Sequence, residues 1–139
     1  MSTRTAIATD QAPPPLPLFP QGVRAGRVVQ VSGQIATDPA TGELHGPGDV
    51  AQQTLQTLRN IEAILTAGGA SVGDVVMLRV YLVDRDHFGL MNEAYDQFLS
   101  ERIPSGVRPA RTTVIVGLPR EDLLVEIDAL AVIDGAEAV

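Results

Sequence analysis

Two residues in this chain are suited to acid–base and anion chemistry. They are Arg111, in the run Arg108-Pro-Ala-Arg111-Thr-Thr-Val-Ile, and Glu126, in Leu-Leu-Val-Glu126-Ile-Asp128-Ala. Both runs are otherwise apolar and β-rich, and the intervening Leu118-Pro119 marks a turn. The sequence therefore predicts a hairpin that brings a fixed cation and a carboxylate together. Such a pair has two readings. As a cross-strand salt bridge on a solvated edge it contributes little stability. As a guanidinium beside a carboxylate it is an anion clamp with a proton-transfer group at its mouth. Spacing alone leaves both open.

Other chemistries are narrowed by what the chain lacks. It has no cysteine, so thiol nucleophiles, thiolate metal sites and disulfides are excluded together, as suits a reducing compartment. All 10 of its cationic residues are arginine. Without lysine there is no side-chain Schiff base, no pyridoxal attachment and no lysine general base. The histidines, His45 and His87, have no metal-site spacing and read as exposed or capping residues. Gly46-Pro-Gly48 and Gly68-Gly69 read as turn and cap glycines, since no phosphate-binding or dinucleotide pattern surrounds them. No serine carries a triad signature. Among enzymes, cofactor-free hydrolysis with no metal remains.

The net charge of -7, with arginines scattered from Arg4 to Arg120 and few aromatics, argues against a nucleic-acid or anionic-membrane surface. No run of about 18 apolar residues and no leader segment is present, so the cytoplasm is the expected address. At 139 residues and 45% apolar content the chain is expected to form one domain, 1–139, with its own core.

The elements that must position the pair follow from hydrophobic periodicity. Residues 1–20 are expected to form an extended N-terminal arm, because 11–20 hold too many prolines for a helix or central strand, and 133–139 a short C-terminal tail. Residues 27–33 form a short strand and 37–42 a turn. Asp49 caps a helix whose stripe Leu55, Leu58, Ile61, Ile64, Leu65 runs to Gly68-Gly69. Residues 74–83 are the strongest strand, with Val76, Leu78, Val80 and Leu82 on one face. A second helix begins at Asp84 or Asp86 with the stripe Phe88, Met91, Tyr95, Phe98, and Asn92 sits at its rim. Two helices cover one face of a sheet. The other face, expected to carry Val75, Met77, Tyr81, Thr113 and Ile115, is too apolar to leave in water. The expected fold is an α+β sandwich, one mixed sheet with two helices on one face, closed into a homo-oligomer through the other.

Ser32-Gly33-Gln34-Ile35, Asp38-Pro-Ala-Thr-Gly42, Gln53 to Asn60, the Ala-Gly-Gly-Ala-Ser-Val-Gly-Asp-Val run from Ala67, Met91-Asn92-Glu93, Pro109-Ala-Arg111, Leu118-Pro119 and Val125-Glu-Ile-Asp-Ala129 occur in order. Together they resemble the Rid (YjgF) reactive-intermediate deaminases, from about residue 6 to 132. The resemblance implies a chorismate-mutase-like homotrimer with clefts between subunits, hydrolysing enamines and imines of small 2-oxo acids, such as 2-aminoacrylate, 2-iminopropanoate or 2-iminobutanoate, to the oxo acid and ammonia. It implies that Arg111 forks onto the substrate carboxylate, a planar anion that suits guanidinium. It implies that Glu126 handles the attacking water. Ser32, Gly33, Asn92 and Ala110 fall on pocket-lining positions.

Departures from the family pattern bear on substrate choice. Phe19, in Leu16-Pro17-Leu18-Phe19, replaces a usual tyrosine and removes a hydroxyl. Thr113 stands where some members have cysteine, a thiol that the hydrolytic scheme does not require, and Arg108 replaces a bulky apolar residue at the pocket mouth, in a slightly longer segment. A specialised pathway imine is therefore an alternative substrate. A reading from a different class is a non-catalytic trimer that binds a small 2-oxo or amino acid through Arg111 and acts on a partner protein. Retention of Glu126 favours the enzyme, because a second negative charge near a bound carboxylate only weakens simple binding.

Overall fold

The computed structural model describes residues 3–134. Its elements run β1 (Arg4–Ile7), β2 (Gly22–Ala25), β3 (Val28–Gln34), α1 (Val50–Ala67), β4 (Val75–Leu82), α2 (Phe88–Arg102), β5 (Ala110–Ile115) and β6 (Val125–Val132). They build one six-stranded mixed sheet in the order β1-β2-β3-β6-β4-β5. Every described pairing is antiparallel except β4 with β5, where α2 supplies the crossover that a parallel pair requires. The α+β expectation holds: one mixed sheet carries both helices on one face.

α1 begins where Asp49 accepts a hydrogen bond from the Gln52 N–H, at 3.0 Å. It ends at Gly68-Gly69. The Ala70 N–H reaches Leu65 O, the Gly69 N–H reaches Thr66 O, and Gly69 takes φ +85, the left-handed conformation that glycine adopts without a Cβ clash. Arg24 Nη1 donates to Gly68 O at 2.9 Å and ties this end to β2. A 3-10 turn at 85–87, capped by Asp84, leads into α2. Leu58, Ile61, Ile64 and Leu65 of α1, with Met91, Tyr95, Phe98 and Leu99 of α2, bury against Val29, Val31, Leu78, Val80, Leu82, Val125, Ile127 and Ala129 of the sheet. A fully buried side chain of this size contributes about 1.5–3 kcal/mol. Phe88, expected on the buried stripe, is half exposed at the start of α2.

Several expectations are corrected. β5 and β6 are not a hairpin: β4 lies between them, parallel to one and antiparallel to the other. Two strands near in sequence are separated because β4, apolar on both faces, takes the interior place. A register shift between Val75 and Met77 reverses the alternation at the start of β4, so Val75 is buried and Val76 is 46% exposed. Thr113 and Ile115 align with Val80 and Leu82, which places them on the helix side of β5 rather than on the open face. Residues 4–7 form an edge strand instead of continuing the arm, whereas 11–20 carry neither helix nor strand. Within the expected tail, 135–139 lie outside the described residues.

The open face therefore carries Met77, Arg79 and Tyr81 of β4, Glu126, Asp128, Leu130 and Val132 of β6, Val28 of β3, and Ala110 and Val114 of β5. Entry into β6 is held by Gln53, which is fully buried in α1. Its Nε2 donates to Gly46 O and Asp122 O, both at 3.2 Å, and its Oε1 accepts from the Leu124 N–H at 2.9 Å. Replacing Gln53 with leucine keeps the volume and orphans these backbone groups. Gln53→Leu is expected to lower unfolding free energy in urea by about 2–3 kcal/mol; a loss within experimental error would show that the segment before β6 holds without it.

Candidate functional site

Arg111 and Glu126 lie on opposite faces of the sheet. Arg111 aligns with Leu78 and Glu126 with Tyr81, three residues apart on β4, so their side chains leave on opposite sides. Among the described residues neither takes part in an ion pair. The salt-bridge reading of the pair is thereby removed within one chain, and the clamp is not assembled there either.

The Arg111 half sits between edge strand β5 and α2. The guanidinium carbon lies 4.8 Å from the Tyr95 ring centroid and 5.7 Å from that of Phe88. Stacking over these rings holds the group flat without neutralising it. Burial pushes the Tyr95 phenol up from its usual value, and the nearby Arg111 charge partly opposes this. Asn92 Oδ1 and Thr113 Oγ1 are buried without hydrogen-bond partners among the described residues. An unpaired buried oxygen costs free energy, so this niche has polar capacity that the chain does not use on itself. Arg108 is committed elsewhere: Nη1 pairs with Asp96 Oδ1 and Nη2 donates to Ser100 Oγ, each at 2.8 Å. It fastens the approach to β5 onto α2.

The Glu126 half lies on the open face. A register shift in β3 between Val31 and Gln34 leaves Ser32 and Gly33 opposite Asp128 alone. The Glu126 carboxylate packs directly over Gly33, where a Cβ would collide with Oε2 and meet the carboxyl carbon at 3.1 Å. Burial raises the proton affinity of Glu126, and the charge of Asp128 adds to the effect. Ser32 Oγ donates to Pro20 O at 2.8 Å and the Ser32 N–H to Gln21 O at 2.9 Å, so its hydroxyl proton is used to hold the proline-rich segment. Gln21 completes that tether, its Nε2 donating to the carbonyls of Thr9, Ala12 and Pro13. Phe19 is thereby fixed at a turn, the residue 44% exposed. Ala110 begins β5 on the open face, opposite Met77.

Sequence reading missed three neighbours of Glu126. Asp128 is 9% exposed; its Oδ1 accepts from Arg79 Nε and its Oδ2 from the Tyr81 hydroxyl, each at 2.8 Å. The available signal was two acidic residues on one face of a β-rich run, opposite an arginine and a tyrosine in another. Among the described residues no group of three or more His, Asp or Glu side chains is arranged to hold a metal ion.

The endoribonuclease L-PSP family model matches residues 9–133. A RutC family protein of Pyrococcus horikoshii is 41% identical over 128 residues, 92% of this chain and 97% of that protein. The 2-iminobutanoate/2-iminopropanoate deaminase of Escherichia coli is 40% identical over 126 residues, 91% of this chain and 95% of that one. The crystal structure of Escherichia coli TdcF with bound serine superposes with a TM-score of 0.86 at 38% identity, covering 94% of this chain and 99% of that chain.

Gly33 has no positive φ, so alanine imposes no backbone strain there and the added methyl meets the Glu126 carboxylate first. Gly33→Ala is expected to keep the melting temperature within a few degrees while swinging the carboxylate off β3, visible in a crystal structure of the variant. A carboxylate still seated over residue 33 would show that the bulge does not define its position.

Proposed function

The chain belongs to the endoribonuclease L-PSP family, which includes the Rid (YjgF) proteins, and from that membership we propose that it hydrolyses small imines or enamines of 2-oxo acids to the oxo acid and ammonia. The observation that carries this reading is the state of Glu126: a half-buried carboxylate, with no ion-pair partner among the described residues and with its proton affinity raised by burial. A group that must accept a proton and then return it works best when its affinity lies nearer the working pH than that of an exposed carboxylate. The relative that bears the name 2-iminobutanoate/2-iminopropanoate deaminase, alike over nearly its whole length, supplies the substrate class.

The split between the two half-sites points to a neighbouring copy. β5 is an edge strand, so Arg111 and Thr113 sit at the rim of one copy, beside Asn92 of α2, while Glu126 lies on the open face. Seating the rim of one copy on the open face of the next covers Met77, Leu130, Val132 and Val114. It also sets a guanidinium beside a carboxylate. Two different patches in contact make a head-to-tail interface, which closes as a ring rather than a two-fold dimer. A trimer with three clefts fits this requirement.

In such a cleft Arg111 grips the substrate carboxylate through parallel N–H bonds and fixes the imine carbon toward Glu126. Water adds to that carbon as Glu126 takes a water proton. With the imine nitrogen protonated at the outset, the carbinolamine nitrogen then receives that proton from Glu126; as the C–N bond breaks, the hydroxyl oxygen closes the C=O bond and gives its own proton back to Glu126, and ammonia leaves with the 2-oxo acid. Phe19, apolar where a hydroxyl is usual, walls the cleft and favours a less polar substrate side chain. RNA cleavage, which the family name mentions, fits this chain less well, because its net charge is -7 and the arginines are scattered along the sequence rather than clustered.

Light scattering at micromolar concentration should give about three times the 14.7 kDa chain mass; a stable monomer would separate the half-sites and overturn the cleft. With imines generated in place by an amino-acid oxidase, Arg111→Lys should weaken carboxylate binding and lower turnover sharply. Glu126→Gln should retain binding and lose roughly 100-fold or more in turnover. If both variants match the parent, neither residue is part of a catalytic site. If the parent binds 2-oxo acids through Arg111 without hydrolysing imines, the protein is a binding module.

A further inference from the structure

Two carboxylates on one strand face, close together, oppose each other, and a fold gains no stability from the arrangement. Alternation along β6 puts Glu126 and Asp128 on the open face two residues apart, a spacing of about 7 Å along the strand. The chain spends two side chains on only one of them. Arg79 sits directly across from Asp128 and Tyr81 directly across from Glu126, yet the Tyr81 hydroxyl turns toward Asp128. Both Asp128 oxygens thus accept charge-strengthening hydrogen bonds, at 2.8 Å each, while the Glu126 carboxylate rests on Gly33 with no ion-pair partner among the described residues.

We propose that Asp128, gripped by Arg79 and Tyr81, is a positioning residue for Glu126, a fixed anion whose field holds a proton on Glu126 between acceptance and return. The inference rests on the reaction proposed above. Both Asp128 oxygens are occupied by donors, whereas among the described residues no side chain donates to the Glu126 carboxylate, so Glu126 is the acid left open to a water molecule. Separate environments giving two neighbouring carboxylates separate roles is a recurrent arrangement in acid–base catalysis. Burial raises the proton affinity of Glu126 first, and the charge of Asp128 raises it further. The same anion, with burial, drives the Tyr81 phenol up, so Tyr81 stays protonated and keeps donating.

The groups facing Glu126 are few. β3 presents Ser32 and Gly33, which do not titrate; β4 presents Tyr81 and Arg79; β6 presents Asp128; and both helices lie on the far side of the sheet. In the assembled cleft the Arg111 of the neighbouring copy is a further charge, unchanged in every variant below. A purely structural role for the Arg79–Asp128 pair is a weak alternative, because Arg79 is half in water and such pairs contribute little.

Carbon-13 carboxyl resonances of the full chain report the titration of Glu126 directly, assigned by its loss in Glu126→Gln. Asp128→Asn removes the anion and is expected to lower the Glu126 midpoint by about half a pH unit or more, roughly threefold in proton affinity. Arg79→Met removes the counter-cation and is expected to raise it. Asp128→Glu should restore most of the parent value. The acid limb of kcat/KM for imine hydrolysis, where the base form of Glu126 is lost, should shift in the same directions. If Asp128→Asn does not fold, Arg79→Met, altered at a half-exposed side chain, carries the test. An unmoved midpoint in the folded variants overturns the inference even if the parent hydrolyses imines. Shifted midpoints in a parent without hydrolysis leave the fixed anion standing and overturn the reaction instead.

Discussion

Alternation along β6 is the constraint from which the rest of the molecule follows. Val125, Ile127, Ala129 and Ala131 are buried beneath the helices, so Glu126, Asp128, Leu130 and Val132 must leave on the other side. A slip of one residue would drive two carboxylates into the core and expose its centre, which makes the register costly to change. Because β6 is paired on both sides, by β3 and β4, its acidic residues meet the bulge of one neighbour and the arginine and tyrosine of the other. The candidate acid–base centre is therefore a product of sheet register more than of any loop. Its geometry is as rigid as the sheet itself.

Much of this fold was legible because local rules and burial agreed. The stripe from Leu55 to Leu65, bounded by Asp49 and Gly68-Gly69, could only be a capped helix packed on one side. The imbalance of two helices against a sheet with two apolar faces was equally visible. Strand order was not legible. A Leu-Pro turn between two β-rich runs looks alike whether the runs pair with each other or admit a third strand between them. The choice was settled by β4, which had to be covered on both edges as well as both faces. The reversal at Val75 and Val76 was hidden for a related reason: a bulge leaves no mark in the residue types beyond a run of β-formers.

The candidate site was legible as residues but not as an arrangement. Arg111 and Glu126 were marked by being charged in apolar runs, and Gly33, Asn92 and Thr113 by motif. The expectation that one hairpin would join cation and carboxylate failed because pairing with β4 sets them on opposite faces. Ser32 and Arg108 prove to be engaged in holding the proline-rich segment and the approach to β5, roles set by tertiary contact. The Arg79–Asp128–Tyr81 group was passed over because each member, taken singly, is an ordinary strand residue. Only the register brings them together.

The central strand is also the one made last among the described elements. β3 pairs with β6 across roughly a hundred residues of chain, Val29 with Ala131 and Val31 with Ala129. Until β6 emerges from the ribosome, β3 and β4 each present an unpaired edge, and α1 and α2 have no continuous floor to pack on. Non-local pairing of this kind slows folding and leaves strands exposed in the meantime. The nascent chain is accordingly most open to misassociation late in its synthesis, when the apolar residues of these waiting strands are interrupted only by polar ones such as Gln30, Gln34 and Arg79.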